Sequence, residues 1–472
     1  MHSIKKQQEL ELEIASLAFG GQGVARVDDF VIFVEGALPG QKVKARITKK
    51  KKSFAQARLL DVLRESPHAV MPRCVHFQHC GGCRLQHLDY AEQIRQKGQQ
   101  VEDILRRLGG LDNFEIFPTL PSEQIYYYRN KMEFSFSRQR WLTPQEIESA
   151  EKITKETHYL GLHAKGFYEK VVDLNECHLV SPVAIEILKT VREIARQSGL
   201  PVYSTSDHQG FWRFLVVRPG AGTNDLMVNI VTFEHQPEIA RHLKKELLTK
   251  FPHITSLING VTRSKSSVAF CEEEFLLAGE PTITEKLGPY EFTISANSFF
   301  QTNTKQAKRL YDIALEYAEF QGDELVYDLY CGAGTISIYI SKHVGSVIGF
   351  ESVESAAINA RENCERNNVE NCEFVLGDLK DALNQTEEIV QMYGHPDVVI
   401  LDPPRGGMHP KTVAAVLALQ PQKIVHVSCN PTTMARELAE FCTSDYRVTK
   451  VQPVDMFPHT AHIEIVAQLI RV

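Results

Sequence analysis

Cys429 and Glu464 are the residues of this 472-residue chain best suited to act as a nucleophile and a base. Cys429 lies in Val-Ser-Cys-Asn-Pro, between the strand-like run KIVHVS and a helix-like stretch, where the positive end of the following helix is expected to lower a thiol pKa. Glu464 closes His-Thr-Ala-His-Ile-Glu within an otherwise apolar run, and a carboxylate there is costly unless it is paired or used. His462 stands two residues earlier, so in a strand both point to one face. Asp402 closes VVILD and is followed by Pro403 and Pro404, which cannot join a sheet ladder and hold the exit rigid. Asp328 opens DLYCGAGT, whose Gly332 and Gly334 permit a tight turn and close backbone approach to a nucleotide. Glu351 ends the next apolar run 23 residues further on, where a carboxylate can accept both ribose hydroxyls of an adenosine-containing cofactor. Asp378, in Leu-Gly-Asp, ends the third run and is expected to meet the adenine amine.

Ser337 stands where a dinucleotide fingerprint has its third glycine, which disfavours NAD or FAD. The three acids around a short glycine turn resemble instead the cofactor site of S-adenosylmethionine-dependent methyltransferases. Amino-methyltransferases usually carry a base-stacking aromatic after the proline pair. Arg405 occupies that place, which argues against an exocyclic amine as target. The parts suit methylation of carbon 5 of a pyrimidine. A thiolate adding to carbon 6 turns the ring into an enolate whose carbon 5 can attack a methyl sulfonium. A base then removes the carbon-5 proton and the thiolate is expelled. Asp402 with Gln301 is expected to fix the orientation of the base, and Phe299 and Phe300 to fill the gap it leaves or stack on it.

A second constellation lies nearer the N-terminus. Cys74, Cys80 and Cys83 (C-x5-C-G-G-C) are interspersed with His76, His79 and His87, and Cys177 is the only other cysteine before residue 271. Three thiolates this close, joined by a fourth, can surround one metal centre. Zinc and a [4Fe–4S] cluster fit these ligands equally on type. The radical-generating cluster enzymes use a tighter spacing, so radical chemistry is not implied.

The elements that must hold these residues differ along the chain. Apolar content is 43% and charged content 24%, ordinary values that exclude a disordered chain. No run approaches the ~20 apolar residues of a spanning helix. The N-terminus has no apolar signal core, so a cytoplasmic location is expected. Net charge is -7, yet residues 1–64 carry +5 and the remainder -12. Residues 9–64 alternate apolar and polar between glycine-rich turns, as about five strands of a small OB-like barrel. The run from Lys42 to Arg58 holds eight Lys/Arg and no acid, so either a solvated hairpin tip or an RNA-tracking surface is implied. A helix is expected over residues 90–108, then a strand-rich mixed segment in which Tyr126, Tyr127, Arg129, Lys131, Arg213 and Arg218 interleave aromatics and cations, as on an RNA-contacting sheet. From about residue 325 strands and helices alternate regularly, the mark of a doubly wound α/β domain with ligands at the carboxyl ends of its strands.

Taken together, NSFFQTN (297–303), DLYCGAGT (328–335), LDPPRGG (401–407), VSCNP (427–431) and HTAHIE (459–464) resemble the RNA uridine-5 methyltransferases of the bacterial class that modifies 23S ribosomal RNA and carries an iron–sulfur cluster. That resemblance implies an α/β fold with a Rossmann-like class I S-adenosylmethionine methyltransferase domain (291–472). Before it would come a TRAM, OB-like RNA-binding barrel (1–64) and a mixed α+β iron–sulfur domain that also binds RNA (65–290), with the 90–108 helix packing on the methyltransferase domain. It makes Cys429 the nucleophile and Glu464 the base. Gln301, Tyr330, Thr335, Glu351, Asp378 and Asp402 would bind the cofactor, and Cys74, Cys80, Cys83 and Cys177 a structural [4Fe–4S] cluster. Thr335 stands where some relatives have asparagine. The implied partner is RNA, with 23S ribosomal RNA favoured over tRNA because the tRNA relatives tend to lack barrel and cluster; nothing calls for a membrane or an obligate protein partner. A cytosine-5 enzyme usually has its nucleophile after a proline, and Pro404 is followed by arginine. A non-catalytic RNA-binding protein would show damage at nucleophile or base, and both are intact.

Overall fold

The computed structural model describes residues 4–149, 157–377 and 386–472. The N-terminal segment forms a six-stranded sheet, one strand more than expected, in the order Glu9–Glu13, Lys42–Lys50, Phe54–Arg64, Phe30–Glu35, Gly23–Val27, Ser16–Leu17. Alternate residues such as Ile32, Val34, Val43, Ala45 and Ile47 face inward and are fully buried. Three register shifts between Lys42–Lys50 and Phe54–Arg64 bend the sheet around that core. The antiparallel register of Glu9–Glu13 against Lys42–Lys50 sets Glu11 on Lys42 at 2.7 Å and Glu9 on Lys44 and Arg46 at 2.8 and 2.7 Å. These pairs set two carboxylates against three cations at the near end of the basic run, so most of its uncompensated charge lies at the exposed Lys49 to Lys52 stretch.

The central sheet has seven strands, in the order Val171–Asp173, Tyr159–His163, Met132–Ser137, Trp212–Pro219, Leu226–Thr232, Ser256–Val261, Glu273–Gly279. Helices Pro182–Ser198 and Pro237–Lys250 bury one face through Ile185, Leu188, Leu243 and Leu247 against Phe134, Leu215, Val217 and Ile230. On the opposite face Phe214 and Val231 pack on Cys271. The expected aromatic–cation set divides: Tyr126, Tyr127, Arg129 and Lys131 stay half-buried, whereas its other two cations are internal. Arg213 and Arg218 are buried, Arg218 donating to the carbonyls of Ser295 and Ser298 at 3.1 and 2.8 Å. Tyr126 stacks on His459 with ring centroids 4.4 Å apart.

The C-terminal sheet runs Cys372–Leu376, Ser346–Glu351, Leu325–Leu329, Val398–Leu401, Lys423–Ser428, Glu464–Arg471, Tyr446–Val454, Glu115–Ile116. The first five strands are parallel and Glu464–Arg471 inserts antiparallel between Lys423–Ser428 and Tyr446–Val454. The strand order reverses at Leu325–Leu329, which opens a crevice at its carboxyl end. The hairpin of Ile283–Leu287 and Tyr290–Ile294 buries Ile283, Leu287 and Phe292 in this domain's core, so its packing begins before residue 291. Helix Tyr90–Arg107, capped by the Asp89 carboxylate, packs on helix Pro431–Cys442 and strand Tyr446–Val454. No helix among the described residues is long and apolar enough to cross a membrane.

Candidate active site

The crevice is shaped by the turn after Leu325–Leu329. Tyr330, Gly332 and Gly334 all adopt left-handed backbone, with φ of 67°, 56° and 75°. For tyrosine this conformation is strained, and such strain collects at ligand-binding turns. At Gly334 a Cβ would lie 2.9 Å from the Phe374 ring and 3.1 Å from Ala360, so only glycine lets the turn close on the helix behind it. Glu351 ties the turn to the neighbouring strand: one oxygen accepts from the Gly332 N–H at 3.0 Å, the other from Ser352 and Val353 at 2.7 and 2.8 Å. Asp328 is fully buried and accepts from the Ser337 hydroxyl at 2.5 Å, while its other oxygen has no partner. Burial pushes its pKa up to about 7. Ser337, which broke the dinucleotide pattern, therefore holds the first acid. The Thr335 hydroxyl shares a hydrogen bond with Tyr311 at 3.2 Å. Asp378 lies outside the described residues.

Gln301 sits on a loop held from the central domain. The Asn130 amide donates to the Gln301 carbonyl at 3.0 Å and to the Thr304 hydroxyl at 2.7 Å. Asn303 caps helix Thr304–Ala318 and donates to the Met456 carbonyl. The paired aromatics of this loop part company. Phe299 is 73% exposed, whereas Phe300 is 2% exposed and packs on Phe292. Phe300 is therefore a core residue, a correction to its expected role beside the base; successive side chains point opposite ways and the loop leaves only one outside.

Cys429 follows strand Lys423–Ser428 and precedes helix Pro431–Cys442, as expected. Asn430 caps that helix by accepting from the Thr432 N–H at 3.0 Å, and its amide donates to the Arg405 carbonyl at 3.0 Å, binding the nucleophile turn to the LDPPRGG turn. The Arg405 guanidinium acts on the Cys429 thiol and pulls its pKa down. The expected lowering of this thiol's pKa is not what the site produces. Burial, and next the Glu464 charge, push it up to about 11 against the opposing pull of Arg405. Glu464 opens its strand, is 4% exposed, and is pushed well above the usual carboxylate range by burial and then by Asp402. Asp402 is raised to about 7 by burial and then by Asp328. The negative charges thus act in succession from the glycine turn to the nucleophile, Asp328 on Asp402, Asp402 on Glu464 and Glu464 on Cys429. His462 precedes the strand rather than sharing it, and burial pushes its pKa down to about 4.

The four N-terminal cysteines also converge. Cys80 pairs with Ala164 in a β-bridge, and the Val75 N–H donates to Glu176 at 2.7 Å, which brings the 74–83 loop onto Cys177. Each of Cys74, Cys80 and Cys177 acts electrostatically on Cys83. Hydrogen-bond donors point at every sulfur: His76 and Phe77 N–H at Cys74, Gly82 N–H at Cys80 (3.4 Å), the Gln86 amide at Cys83 (3.1 Å), and Leu179 and Val180 N–H at Cys177. Among the described residues no three His, Cys, Asp or Glu side chains are close enough to share a single ion.

Residues 220–472 match the family model for tRNA (Uracil-5-)-methyltransferase and residues 5–60 that for the TRAM domain. The chain belongs to the tRNA (uracil-5-)-methyltransferase family. An uncharacterized RNA methyltransferase of Porphyromonas gingivalis (strain W83) is 43% identical over 465 residues, 98% of this chain and 99% of that one. Another, from Chlorobaculum tepidum, is 41% identical over 478 residues, 99% of each chain. Among solved structures, the Pyrococcus abyssi tRNA (uracil-54, C5)-methyltransferase in complex with S-adenosyl-L-homocysteine superposes with a TM-score of 0.74 at 30% identity, covering 98% of this chain and 100% of that one.

Sequence reasoning missed how this uracil-5 methyltransferase family member holds the segment that carries Glu464. Lys97, 1% exposed, donates to the fully buried Asp455 at 2.6 Å, and the Tyr90 hydroxyl donates to the other oxygen of Asp455 at 2.9 Å. The Gln93 side chain accepts from the His459 N–H, while the His459 carbonyl accepts from Arg84 and Leu85 N–H. The one available signal was the polar run Gln93, Gln96, Lys97, Gln100, which falls on the buried face of an amphipathic helix.

Proposed function

We propose that this S-adenosylmethionine-dependent RNA uracil-5 methyltransferase family member methylates carbon 5 of a specific uridine, with Cys429 as nucleophile and Glu464 as base. The observation that carries the reading is that Cys429 and Asp402 follow the carboxyl ends of the neighbouring strands Lys423–Ser428 and Val398–Leu401, while Glu464 opens the antiparallel strand paired with Lys423–Ser428, so the three gather beside the glycine turn. S-adenosylmethionine, bound by Gln301, Tyr330, Thr335, Glu351, Asp378 and Asp402, supplies the methyl group. The half-buried Cys429 thiol gives its proton to solvent as its sulfur adds to carbon 6, which places the electron pair on the ring as an enolate with a nucleophilic carbon 5. The positive charge of Arg405, which pulls the thiol pKa down, favours the thiolate through this step. Once carbon 5 is methylated, the Glu464 carboxylate takes the proton from it, the double bond re-forms, and the carbon–sulfur bond breaks to return the thiolate. Exposed Phe299 is the aromatic available to occupy the stack vacated by the base.

Four thiols with a hydrogen-bond donor on each sulfur suit a [4Fe–4S] cluster, and Cys74, Cys80, Cys83 and Cys177 are its proposed ligands. For the RNA, 23S ribosomal RNA remains the first expectation. A second reading, tRNA, is favoured by one observation: the P. abyssi enzyme named for tRNA uracil-54 corresponds to 98% of this chain, so an N-terminal barrel and central domain do not separate the two substrates. The deciding experiment measures labelled methyl incorporation into 23S ribosomal RNA and tRNA from a strain lacking this gene, with wild type and Cys429→Ala. Incorporation into one RNA by wild type and into neither by Cys429→Ala is expected. Label transferred by Cys429→Ala would eliminate the covalent route.

A further inference from the structure

A cavity of about 190 Å³ lies in the central domain, outside the site above, lined by Arg138, His163, Tyr168, Ser204, Arg213 and Ser266 among others. Two of these lining residues each carry a buried polar atom with no partner, Arg213 Nε and His163 Nδ1. Arg213 is 3% exposed, and among the described residues no carboxylate is bonded to it. Its guanidinium lies 4.0 Å over the Tyr203 ring and donates to the carbonyls of Thr262, Ser264 and Ser266 at 2.7–2.9 Å. The acid whose field reaches it, Glu272, accepts instead from the Arg263 N–H. A buried cation held by neutral acceptors alone, with one donor idle, is costly unless a further acceptor arrives. At the mouth stands Tyr168, 86% exposed, an aromatic face with nothing on it. The volume is below the ~300 Å³ lower bound of ordinary cofactor pockets. Hydroxyls, an aromatic face and unfilled polar atoms match one nucleobase.

The cavity is joined to the catalytic loop across the sheet face opposite the helices. Phe214, in the cavity wall, packs on Cys271. Cys271 exchanges two hydrogen bonds with the Asn297 side chain, both at 2.9 Å, two residues before exposed Phe299. Along strand Trp212–Pro219, Arg213 in the cavity and Arg218 under the 295–298 turn are five residues apart, roughly 16 Å at the rise of a strand. We infer that this cavity is a second nucleotide pocket, which takes an unstacked base of the RNA substrate a few nucleotides from the methylated uridine, stacked on Tyr168 with its polar edge toward Arg213 and His163. The inference rests on the RNA-substrate reading and extends it.

The test uses full-length protein and single-stranded RNA uniformly substituted with 4-thiouridine. Irradiation and digestion should yield a crosslinked peptide containing Tyr168 or residues 204–206. Tyr168→Ala alters an exposed side chain, and Ser206→Trp fills the mouth from an exposed loop position, so neither threatens folding. Each should weaken RNA affinity about tenfold, ~1.4 kcal/mol, within the range of one base–aromatic stack, while kcat at saturating RNA stays at the wild-type value. Affinities within twofold of wild type for both variants, with no crosslink at either segment, would overturn the pocket even if methylation proceeds. Wild type that binds no RNA would overturn the substrate reading and the pocket together.

Discussion

Replacing Lys97 by methionine should destabilise the chain far more than loss of one surface charge. The substitution keeps the length of the side chain and removes its ammonium from Asp455, which is 0% exposed. Removing one partner of a buried ion pair costs ~3–5 kcal/mol because the other charge is stranded. Asp455 retains the Tyr90 hydroxyl at 2.9 Å, so the lower end, about 3 kcal/mol, is expected. In Lys97→Met/Asp455→Asn no charge remains, and the amide oxygen still accepts from Tyr90. That double variant should return to within ~1 kcal/mol of wild type, a recovery of about 2 kcal/mol over Lys97→Met. Urea unfolding followed by far-UV circular dichroism at pH 7 reads the difference as a shift in midpoint at constant slope. Because the Asp455 to His459 stretch leads directly to Glu464, kcat should fall in the single variant and recover in the double. A Lys97→Met protein within 1 kcal/mol of wild type, or a double variant no more stable than the single, would refute the assignment of this pair as the anchor of the Glu464 segment.

Glu464→Gln should still form the carbon–sulfur bond but fail to release it, with turnover down by ~10²–10⁴-fold; a stable protein–RNA species on denaturing gels is the readout, and its absence counts against Glu464 as the base. Asp328, raised from 3.8 to about 7 by burial, contributes stability that is complete below pH 3.8 and lost as pH rises through 7. Asp328→Asn should therefore gain on wild type between pH 4 and pH 8, by at most ~4 kcal/mol; parallel melting curves at the two pH values would contradict the buried-acid reading. Anaerobically prepared protein should be brown with about four irons per chain, and Cys177→Ser should lose them; zinc in elemental analysis would displace the cluster assignment.

The local motifs were legible because they encode local physics. Glycine in a left-handed turn at Gly332 and Gly334, the Asn430 cap after Cys429 and the alternation of strands with helices each depend on residues within a few positions of one another. Helix Tyr90–Arg107 was foreseen to within a residue for the same reason: Asp89 caps it and two glycines end it. What escaped were properties set by burial and by distant neighbours. The direction of the Cys429 shift is set first by burial and then by Glu464, 35 residues away in sequence and adjacent only through the sheet. Phe299 and Phe300 are chemically identical, and only packing against Phe292 separates exposed from buried.

Sequence by itself thus determined the fold class, the family and the chemical types at the site, since these follow from periodicity and from residues whose spacing matches a strand end. Tertiary structure alone decided which charges stay free and which polar atoms are left wanting. Lys42, Lys44 and Arg46 are paired with two carboxylates of a strand some 30 residues earlier, while Arg213, read as a surface cation, proves to be buried and short of an acceptor. Electrostatic energy depends on distance and on exclusion of water, and neither quantity exists until the chain has folded.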